Sequence, residues 1–253
     1  MEAAHMNMKE LNKYAELKGL NLGQAEKDYY QNLILFIIYN KISKELIFKG
    51  GTALAKCYGL NRFSEDLDFT VAEKKDYIPI LENGLKQFGL SYSIKNVMRA
   101  GDSEKYKIKI EGPLYRDSIK TLCSVTLDFS LREKVILNPL IKTIGYHMDI
   151  IPVFEVYVLR EEEILAEKIR AIMMRRSARD VYDAVFLLRK GAKPEIKIVN
   201  KKLALANLEF DKKQFLLKCR ALKGIWQSEL SSLVKNVPEF NSYMKEIKHL
   251  VNI

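Results

Sequence analysis

The pattern of apolar and polar residues divides the chain into two parts. In the first 160 residues, short runs alternate between apolar and polar positions, which is the period expected of half-buried strands. From residue 161 onward apolar residues recur at helical spacing and strand patterns nearly vanish. The pattern therefore predicts an α+β domain over residues 1–160, followed by a C-terminal helical bundle over residues 161–253.

The individual elements follow from the same two periods. Strands are predicted at residues 46–49, 67–71, 91–98, 105–111, 122–131 and 151–158. Helices are predicted between them at residues 24–43, 53–58 and 77–88, and in the second part at residues 164–174, 181–188, 202–208, 215–222 and 239–250. A chain that mixes helices and strands in this order favours a mixed sheet in the first part.

Two of the predicted strands carry acidic residues on their polar sides. Asp66 and Asp68 are two residues apart, so their side chains point to the same side of a strand. The alternation in residues 124–131 puts Asp128 on the polar side of a second strand, which could lie beside the first. In the strand at residues 105–111 the tyrosine and isoleucines share one face, and the lysines point outward.

Carboxylates that project together repel each other unless a cation lies between them. Mg²⁺ takes oxygen ligands and keeps free positions for phosphate groups, and two such ions about 3.5–4 Å apart can activate an attacking oxygen and stabilise a leaving one. We therefore expect Asp66, Asp68 and Asp128 to bind one or two Mg²⁺ (or Mn²⁺) ions. The alternative is that an Asp-x-Asp sequence occurs by chance and that Asp128 is merely solvated.

A glycine pair, Gly50-Gly51, separates a predicted strand from a predicted helix. Backbone N–H groups at the start of a helix can receive an anion, and glycine lets a phosphate approach closely. The hydroxyls of Thr52 and Ser64 are candidates to donate to the same triphosphate. The alternative is a tight turn with no ligand. Neither a Rossmann nor a P-loop glycine pattern is present in the sequence.

A second group of charged residues follows between residues 167 and 183. Lys168 sits at the edge of an apolar stripe, where a charge is unexpected unless it reaches into a cleft, and Arg179 precedes the next helix. In one interpretation, Lys168 and Arg179 bind the triphosphate and stabilise its charge, and Asp180 or Asp183 positions the base, the ribose or a cation. Asp183 is expected on the side opposite the core face. The alternative is an Arg179–Asp183 pair at i, i+4.

Composition and charge narrow the class of protein. Hydrophobic residues make up 48% and charged residues 29%, as in ordinary globular proteins. The longest apolar run is too short to span a bilayer, and three scattered cysteines favour a reducing, cytoplasmic setting. Residues 185–253 carry 14 Lys and Arg against 6 Asp and Glu, which indicates either a polyanionic partner such as nucleic acid or a solvated helical surface.

Several of these segments together resemble the AbiEii/AbiGii family of nucleotidyltransferase toxins, which belong to type IV toxin–antitoxin and abortive-infection systems. The resemblance covers about residues 45–190 and rests on residues 49–54, 62–69, 127–130, 132–133, 162–168 and 179–183. It implies a fold related to DNA polymerase β with a helical domain behind it.

The resemblance also implies an activity and its residues. The family transfers a nucleotide from an NTP in a Mg²⁺-dependent reaction, with tRNA as acceptor for some members and an antitoxin protein as a possible partner. Asp66 and Asp68 would bind metal, Lys168 and Asp183 would serve the active site, and Asp128 fits the third carboxylate of the wider fold. Two alternatives remain at this point: a phosphotransferase that acts on a protein side chain, and an inactive binding module.

Overall fold

The computed structural model describes residues 6–100, 102–145 and 151–250. The chain forms two compact units. The first consists of Met1–Ala53, Glu65–Lys134 and Ile141–Val158, and the second of Leu54–Ser64, Val135–Leu140 and Leu159–Ile253. Each unit is therefore built from more than one stretch of the chain. The division into independent domains at residue 160 stays a prediction.

Within the described residues, a mixed sheet of seven strands forms the framework of the first unit. The strands are β1 (Leu46–Lys49), β2 (Asp66–Val71), β3 (Tyr92–Ala100), β4 (Ser103–Ile110), β5 (Cys123–Ser130), β6 (Leu140–Ile144) and β7 (Phe154–Val158). Their order in the sheet is β3-β4-β5-β2-β1-β7-β6. Strand β2 runs parallel to β5 and β1 runs parallel to β7, whereas β1–β2, β3–β4 and β4–β5 are antiparallel. The mixed α/β fold predicted from the sequence is thus confirmed.

Aromatic and aliphatic side chains fill the core of this unit. The rings of Phe69 and Phe129 stack with centroids 5.5 Å apart, and Tyr77 stacks on Phe129 at 5.6 Å. A long helix is buried along most of its length, and its Phe36 meets Phe154 edge-to-face. The apolar residues of each strand are used in this core, which leaves the alternate polar residues on the other face. The helices are α1 (Met8–Lys18), α2 (Leu22–Tyr39) and α4 (Ile78–Gln87); α3 (Gly50–Tyr58) begins directly after β1.

The second unit is helical, and a buried lysine holds part of it together. Lys202 lies 2.7 Å from a carboxylate oxygen of Glu163 and 2.9 Å from one of Glu167. Glu163 in turn accepts hydrogen bonds from the backbone N–H groups of Ile136 and Leu137. Each buried charge therefore has a partner. The helices are α5 (Glu161–Met174), α6 (Ala178–Arg189), α7 (Ile196–Ala204), α8 (Lys212–Arg220), α9 (Trp226–Leu230) and α10 (Phe240–Leu250).

Within the described residues, the structure differs from the predicted elements in five places. The helix predicted at residues 202–208 is wrong, because α7 spans Ile196–Ala204 and buries Lys202 among its apolar residues. The prediction missed α1, β6 and α9, and the strand predicted from residue 151 begins at Phe154. Helix α1 carries charges at five of its eleven positions, but a capping box between Asn7 and Glu10 starts it. Within the described ranges, no helix combines the length and apolar character that crossing a bilayer requires.

Candidate functional site

The three acidic residues of the predicted metal site lie on neighbouring strands. In the parallel pair β2–β5, Asp68 is directly opposite Asp128, and Asp66 is opposite Thr126. Residues in register on adjacent strands point to the same face, so all three carboxylates share the polar face of the sheet. Asp66 is exposed, and Asp68 and Asp128 are half-buried. The predicted shared face is therefore confirmed, whereas metal binding stays a prediction.

A lysine of β4 neutralises one of these carboxylates. Lys105 is opposite Asp128 in the antiparallel pair β4–β5, and its Nζ lies 2.7 Å from Asp128 Oδ2. The Ser103 hydroxyl donates to Asp128 Oδ1 at 3.0 Å. The hydrogen bond to Asp128 raises the pKa of Lys105, and the negative charges of Asp128, Asp68 and Asp66 also favour its protonated form.

Both oxygens of Asp128 therefore have a protein partner. Lys105 thus supplies one cation beside Asp128, and metal binding by Asp128 stays a prediction. Across the part of the chain that the structure describes, no three His, Cys, Asp or Glu side chains are arranged so that they could hold a metal ion.

A second lysine stands at the other end of the same row. Lys49 of β1 is opposite Asp68 in the antiparallel pair β1–β2, and its buried ammonium pairs with the buried carboxylate of Glu133. Four adjacent strands thus contribute one row across the sheet, in the order Lys105, Asp128, Asp68 and Lys49. We call this set the charged row. Its two inner members are acidic and its two outer members are basic.

The glycine pair lies against the charged row. Gly50 has a φ of +75°, and a Cβ added there would overlap Oδ2 of Asp68. The free space beside Gly50, predicted to receive a phosphate, is thus filled by the Asp68 carboxylate. Gly51 and Thr52 are buried, and the Thr52 hydroxyl donates to the backbone carbonyl of Asp66. That bond already uses the hydroxyl proton that was expected to contact a phosphate.

The second unit contains a cluster of five charged side chains, four of them buried, which we call the ion cluster. Arg62 binds both oxygens of Asp183, with Nε–Oδ1 at 2.6 Å and an Nη–Oδ2 distance of 2.7 Å. Lys168 Nζ lies 2.7 Å from Asp183 Oδ2 and 3.2 Å from Asp180 Oδ1. Arg175 completes the cluster with two hydrogen bonds to Asp180. Three cations thus surround two carboxylates that are almost inaccessible to water.

The ion cluster corrects three expectations about these residues. Asp183 is fully buried, so its predicted position on the exposed side is wrong. Arg179 of α6, which was considered as the partner of Asp183, is exposed. Asp183 pairs instead with Arg62 and Lys168. Lys168 is buried between two carboxylates, and this pairing accounts for its position beside the apolar stripe. Ser64, the remaining predicted site residue, is half-buried.

Comparison with known families identifies the chain. A family profile described as "Nucleotidyl transferase AbiEii toxin, Type IV TA system" matches residues 35–246, most of the sequence. The chain belongs to this family. Its predicted resemblance is therefore confirmed, and so is its assignment as a nucleotidyltransferase. No curated protein matches the chain significantly.

Solved structures show the same fold as this AbiEii family member. MenT4, a nucleotidyltransferase toxin from Mycobacterium tuberculosis, superposes with a TM-score of 0.66 at 16% identity, covering 95% of this chain and 87% of that one. A putative nucleotidyltransferase from Helicobacter pylori gives 0.64 at 19% identity, covering 92% and 95%. JHP933 from Helicobacter pylori gives 0.62 at 18% identity, covering 90% of each chain.

Two lysines and one arginine of these sites were missed by sequence reasoning. Lys105 could have been found, because it lies on the outward side of a strand that alternates regularly with apolar residues. Lys49 lies within a strand that is buried throughout, so the alternation gives no signal for it. Arg62 is separated from Asp183 by 121 residues, and nothing local in the sequence indicates that they meet.

Substitution of Gly50 tests the close approach of Asp68. We expect Gly50→Ala to destabilise the protein by about 2–4 kcal/mol, because strain at a positive φ adds to the overlap with Asp68. Gly59→Ala is the matched control, since Gly59 has a φ of +81° but no atom within 4 Å of an added Cβ. It should cost only the strain, about 1–2 kcal/mol. Urea unfolding measures both; equal losses would show that Asp68 does not restrict this glycine.

The acid dependence of stability tests the ion cluster. Burial alone would raise the pKa of Asp180, but the charge of Lys168 and the hydrogen bond from Arg175 lower it to about 2. Since an unfolded Asp titrates near ~3.9, the stabilisation is complete above that pH and is lost as the pH falls through about 2.

The penalty of Asp180→Asn should therefore shrink in acid. We expect on the order of 2 kcal/mol at pH 7 and about half of that at pH 3. Urea unfolding of the wild type and the variant at both pH values gives the two penalties. A penalty that stays constant down to pH 3 would contradict the lowered pKa.

Proposed function

We propose that the protein is a Mg²⁺-dependent nucleotidyltransferase toxin that transfers NMP from an NTP to an RNA acceptor, with tRNA as the expected substrate. The observation that carries the proposal is the in-register pair of Asp68 and Asp128, with Asp66 on the same face of the sheet. Membership of the AbiEii family supplies the class of reaction. Neither argument depends on the other.

The donor atoms suit the proposed metal by their chemistry, although among the described residues the three carboxylates are not yet arranged to hold an ion. Asp66, Asp68 and Asp128 offer only carboxylate oxygens, the ligands that Mg²⁺ and Mn²⁺ prefer in such sites. Asp128 can join through a lone pair that its partners leave unused, or by turning one oxygen from Lys105 or Ser103 toward the metal. A bound Mg²⁺ would supply a Lewis acid for the triphosphate and would lower the pKa of the attacking hydroxyl.

In the proposed reaction an acceptor hydroxyl oxygen attacks the α-phosphorus of the NTP. The bond from the α-phosphorus to the oxygen bridging the α- and β-phosphates breaks, and pyrophosphate leaves with that oxygen. We assign Asp128 to receive the hydroxyl proton. Once Asp128 has turned away from Lys105, the Lys105 ammonium becomes a cation for the negative charge of the leaving group.

The remaining predicted site residues are part of the proposal, but the grounds for including each of them differ. Gly51 offers a backbone N–H near the start of α3, and Ser64 stays a candidate for the triphosphate. Gly50 and Thr52 stay candidates only if Asp68 and the Thr52 hydroxyl leave their present contacts. Arg179 is exposed and is therefore available to a phosphate. The roles of Lys168, Asp180 and Asp183 in nucleotide transfer rest on the family pattern alone, because their contacts within the ion cluster give them a structural role.

The position of a radioactive label separates this reaction from its main rival. NTP labelled at the α-phosphate, incubated with total RNA and Mg²⁺, should leave label in the RNA. A phosphotransferase acting on protein would instead transfer label from the γ-phosphate to a polypeptide. Label in neither acceptor with any of the four NTPs would favour an inactive binding module. Each NTP is tested in turn, which also identifies the nucleotide used.

Removal of Lys105 tests its competition with a metal. We expect Lys105→Met to bind Mn²⁺ about 2- to 5-fold more tightly, because a partly exposed ion pair contributes about 0.2–1 kcal/mol. The matched control is Lys109→Met, four residues further along the same face of β4. Mn²⁺ affinity is measured by electron paramagnetic resonance without nucleotide. Equal affinities for the wild type and Lys105→Met would show that Lys105 does not compete.

Two further parts of the proposal concern the protein partner and the cellular location. The description of the family as a type IV toxin–antitoxin component supports a cognate antitoxin protein as partner. Cytoplasmic location follows from the proposed substrates, since NTPs and RNA are found there. Coexpression with candidate antitoxins, scored by relief of growth arrest, tests the first point.

A further inference from the structure

One face of the β3–β4 hairpin carries a group of lysines that the proposed chemistry does not use. Lys95 of β3 lies directly opposite Lys107 of β4, and Lys109 follows two residues later opposite Ser93. On the other side of β4, Lys107 is opposite Thr126 and Lys109 is opposite Ser124. Because residues in register share a face, these lysines lie on the same side of the sheet as Asp128. We call Lys95, Lys107 and Lys109 the lysine ladder.

Folding alone does not account for the lysine ladder. Like charges directly opposite each other on neighbouring strands destabilise a sheet, and Lys95 and Lys107 are placed in this way. Among the described residues, none of the three lysines has an acidic group within 4 Å. Lys105, on the same strand, differs from them because Asp128 neutralises it. The ladder is therefore an uncompensated cationic strip beside the carboxylates.

The charge and length of this strip indicate the kind of ligand. In an extended strand, two residues cover about 7 Å, and the neighbouring strand lies about 5 Å away, so the three lysines of the ladder spread over more than a single phosphate group. A series of cations along a line suits a chain of phosphates, as in a nucleic-acid backbone. We propose that the lysine ladder binds the phosphate backbone of the acceptor RNA on the face of the sheet that carries Asp66, Asp68 and Asp128. This inference rests on the proposed function, which requires an RNA acceptor at that face.

The C-terminal helical surface, which the net charge of residues 185–253 indicated, is a weaker candidate for RNA binding. Several basic residues of the C-terminal region are occupied by acids of the same unit: Arg189 binds Glu246, Lys190 pairs with Glu161, and Lys202 is buried with two glutamates. The net charge of that region therefore overstates the number of cations available to RNA. Exposed lysines remain there, including Lys193, Lys197 and Lys201, and they provide a matched control.

RNA binding without catalysis tests the proposal. Anisotropy of fluorescently labelled total tRNA is measured in EDTA, without NTP, over a range of KCl concentrations. We expect the triple variant K95Q/K107Q/K109Q to bind about 10- to 100-fold more weakly at low salt, with the slope of log affinity against log salt reduced by about 2–3. The variant K95R/K107R/K109R keeps the charge and should bind within about 3-fold of wild type. Thermal unfolding of all variants checks that the sheet is intact.

The control decides between a site and general charge. K193Q/K197Q/K201Q removes the same charge from the second unit and should change binding less than about 3-fold. Equal losses of RNA affinity in K95Q/K107Q/K109Q and K193Q/K197Q/K201Q would overturn the proposal. Wild-type RNA affinity in K95Q/K107Q/K109Q would also overturn it, and would leave an acidic protein as the ligand of the ladder. The test is separate from the proposed reaction, because it needs neither metal nor NTP. If no label reaches the RNA but the ladder variant loses RNA affinity as expected, the proposed reaction is excluded and the RNA-binding surface is retained.

Discussion

Replacement of Asp68 by asparagine is expected to lower the rate of nucleotide transfer about 10³-fold or more. Asparagine has nearly the same shape, so it fits the space beside Gly50 and opposite Asp128. It lacks the negative charge that would hold a divalent cation, and loss of metal stabilisation worth several kcal/mol corresponds to this factor. The rate is measured as the incorporation of α-labelled nucleotide into RNA under single-turnover conditions.

A matched control separates the effect of removing a metal-binding carboxylate from the effect of removing any acidic side chain. Asp117 is exposed and has a φ of +49°, a conformation that asparagine tolerates equally well. Asp117→Asn should keep full activity and stability. Activity of Asp68→Asn within tenfold of wild type, in a protein that unfolds normally, would exclude Asp68 as a metal ligand.

Replacement of Asp183 by asparagine is expected to destabilise the protein by about 3–5 kcal/mol. Asp183 is shared by Arg62 and Lys168, and all three side chains are buried. Burial alone would raise the pKa of Asp183, but the charges of Lys168 and Arg62 keep it lowered, so the carboxylate is ionised at neutral pH. Removal of its charge leaves two buried cations without their common partner, which is the costly way to break such a pair. Urea unfolding at pH 7 measures the loss.

A surface pair with the same geometry provides the comparison. Arg189 binds both oxygens of Glu246, at 2.8 and 2.6 Å, but both side chains are partly exposed. Glu246→Gln should cost about 0.2–1 kcal/mol, because water screens this pair. A similar small cost for Asp183→Asn would show that the ion cluster does not stabilise the fold. Loss of activity in Asp183 variants has to be interpreted together with this loss of stability.

Strand alternation was enough to place the acidic residues. The period of two in residues 124–131 put Asp128 on the polar face, and the register of β2 and β5 confirms that Asp68 is its neighbour. The same period predicted outward-pointing lysines in β4, but pairing with Asp128 depends on which strands are adjacent. Strand order depends on contacts distant in sequence, which the alternation within one strand does not encode.

Buried charges were the main source of error. Asp183 was placed opposite the core face of its helix, and nothing in the sequence marked Lys202 as buried, because charged residues are almost never buried without a partner. Their partners, Glu163 and Arg62, lie on other segments of the chain, and the prediction of α7 failed at the same point. Local periodicity identifies the apolar side of a helix, but it cannot reveal that a distant charge has made a polar residue part of the core.

Anomalous diffraction from crystals grown with Mn²⁺ and a non-hydrolysable NTP analogue would locate the metal. We expect an anomalous peak bound by Asp66 and Asp68, with Asp128 turned from Lys105 toward the metal and the triphosphate beside it. A bound nucleotide whose metal lies away from these carboxylates, or no metal peak beside them at saturating Mn²⁺, would contradict it.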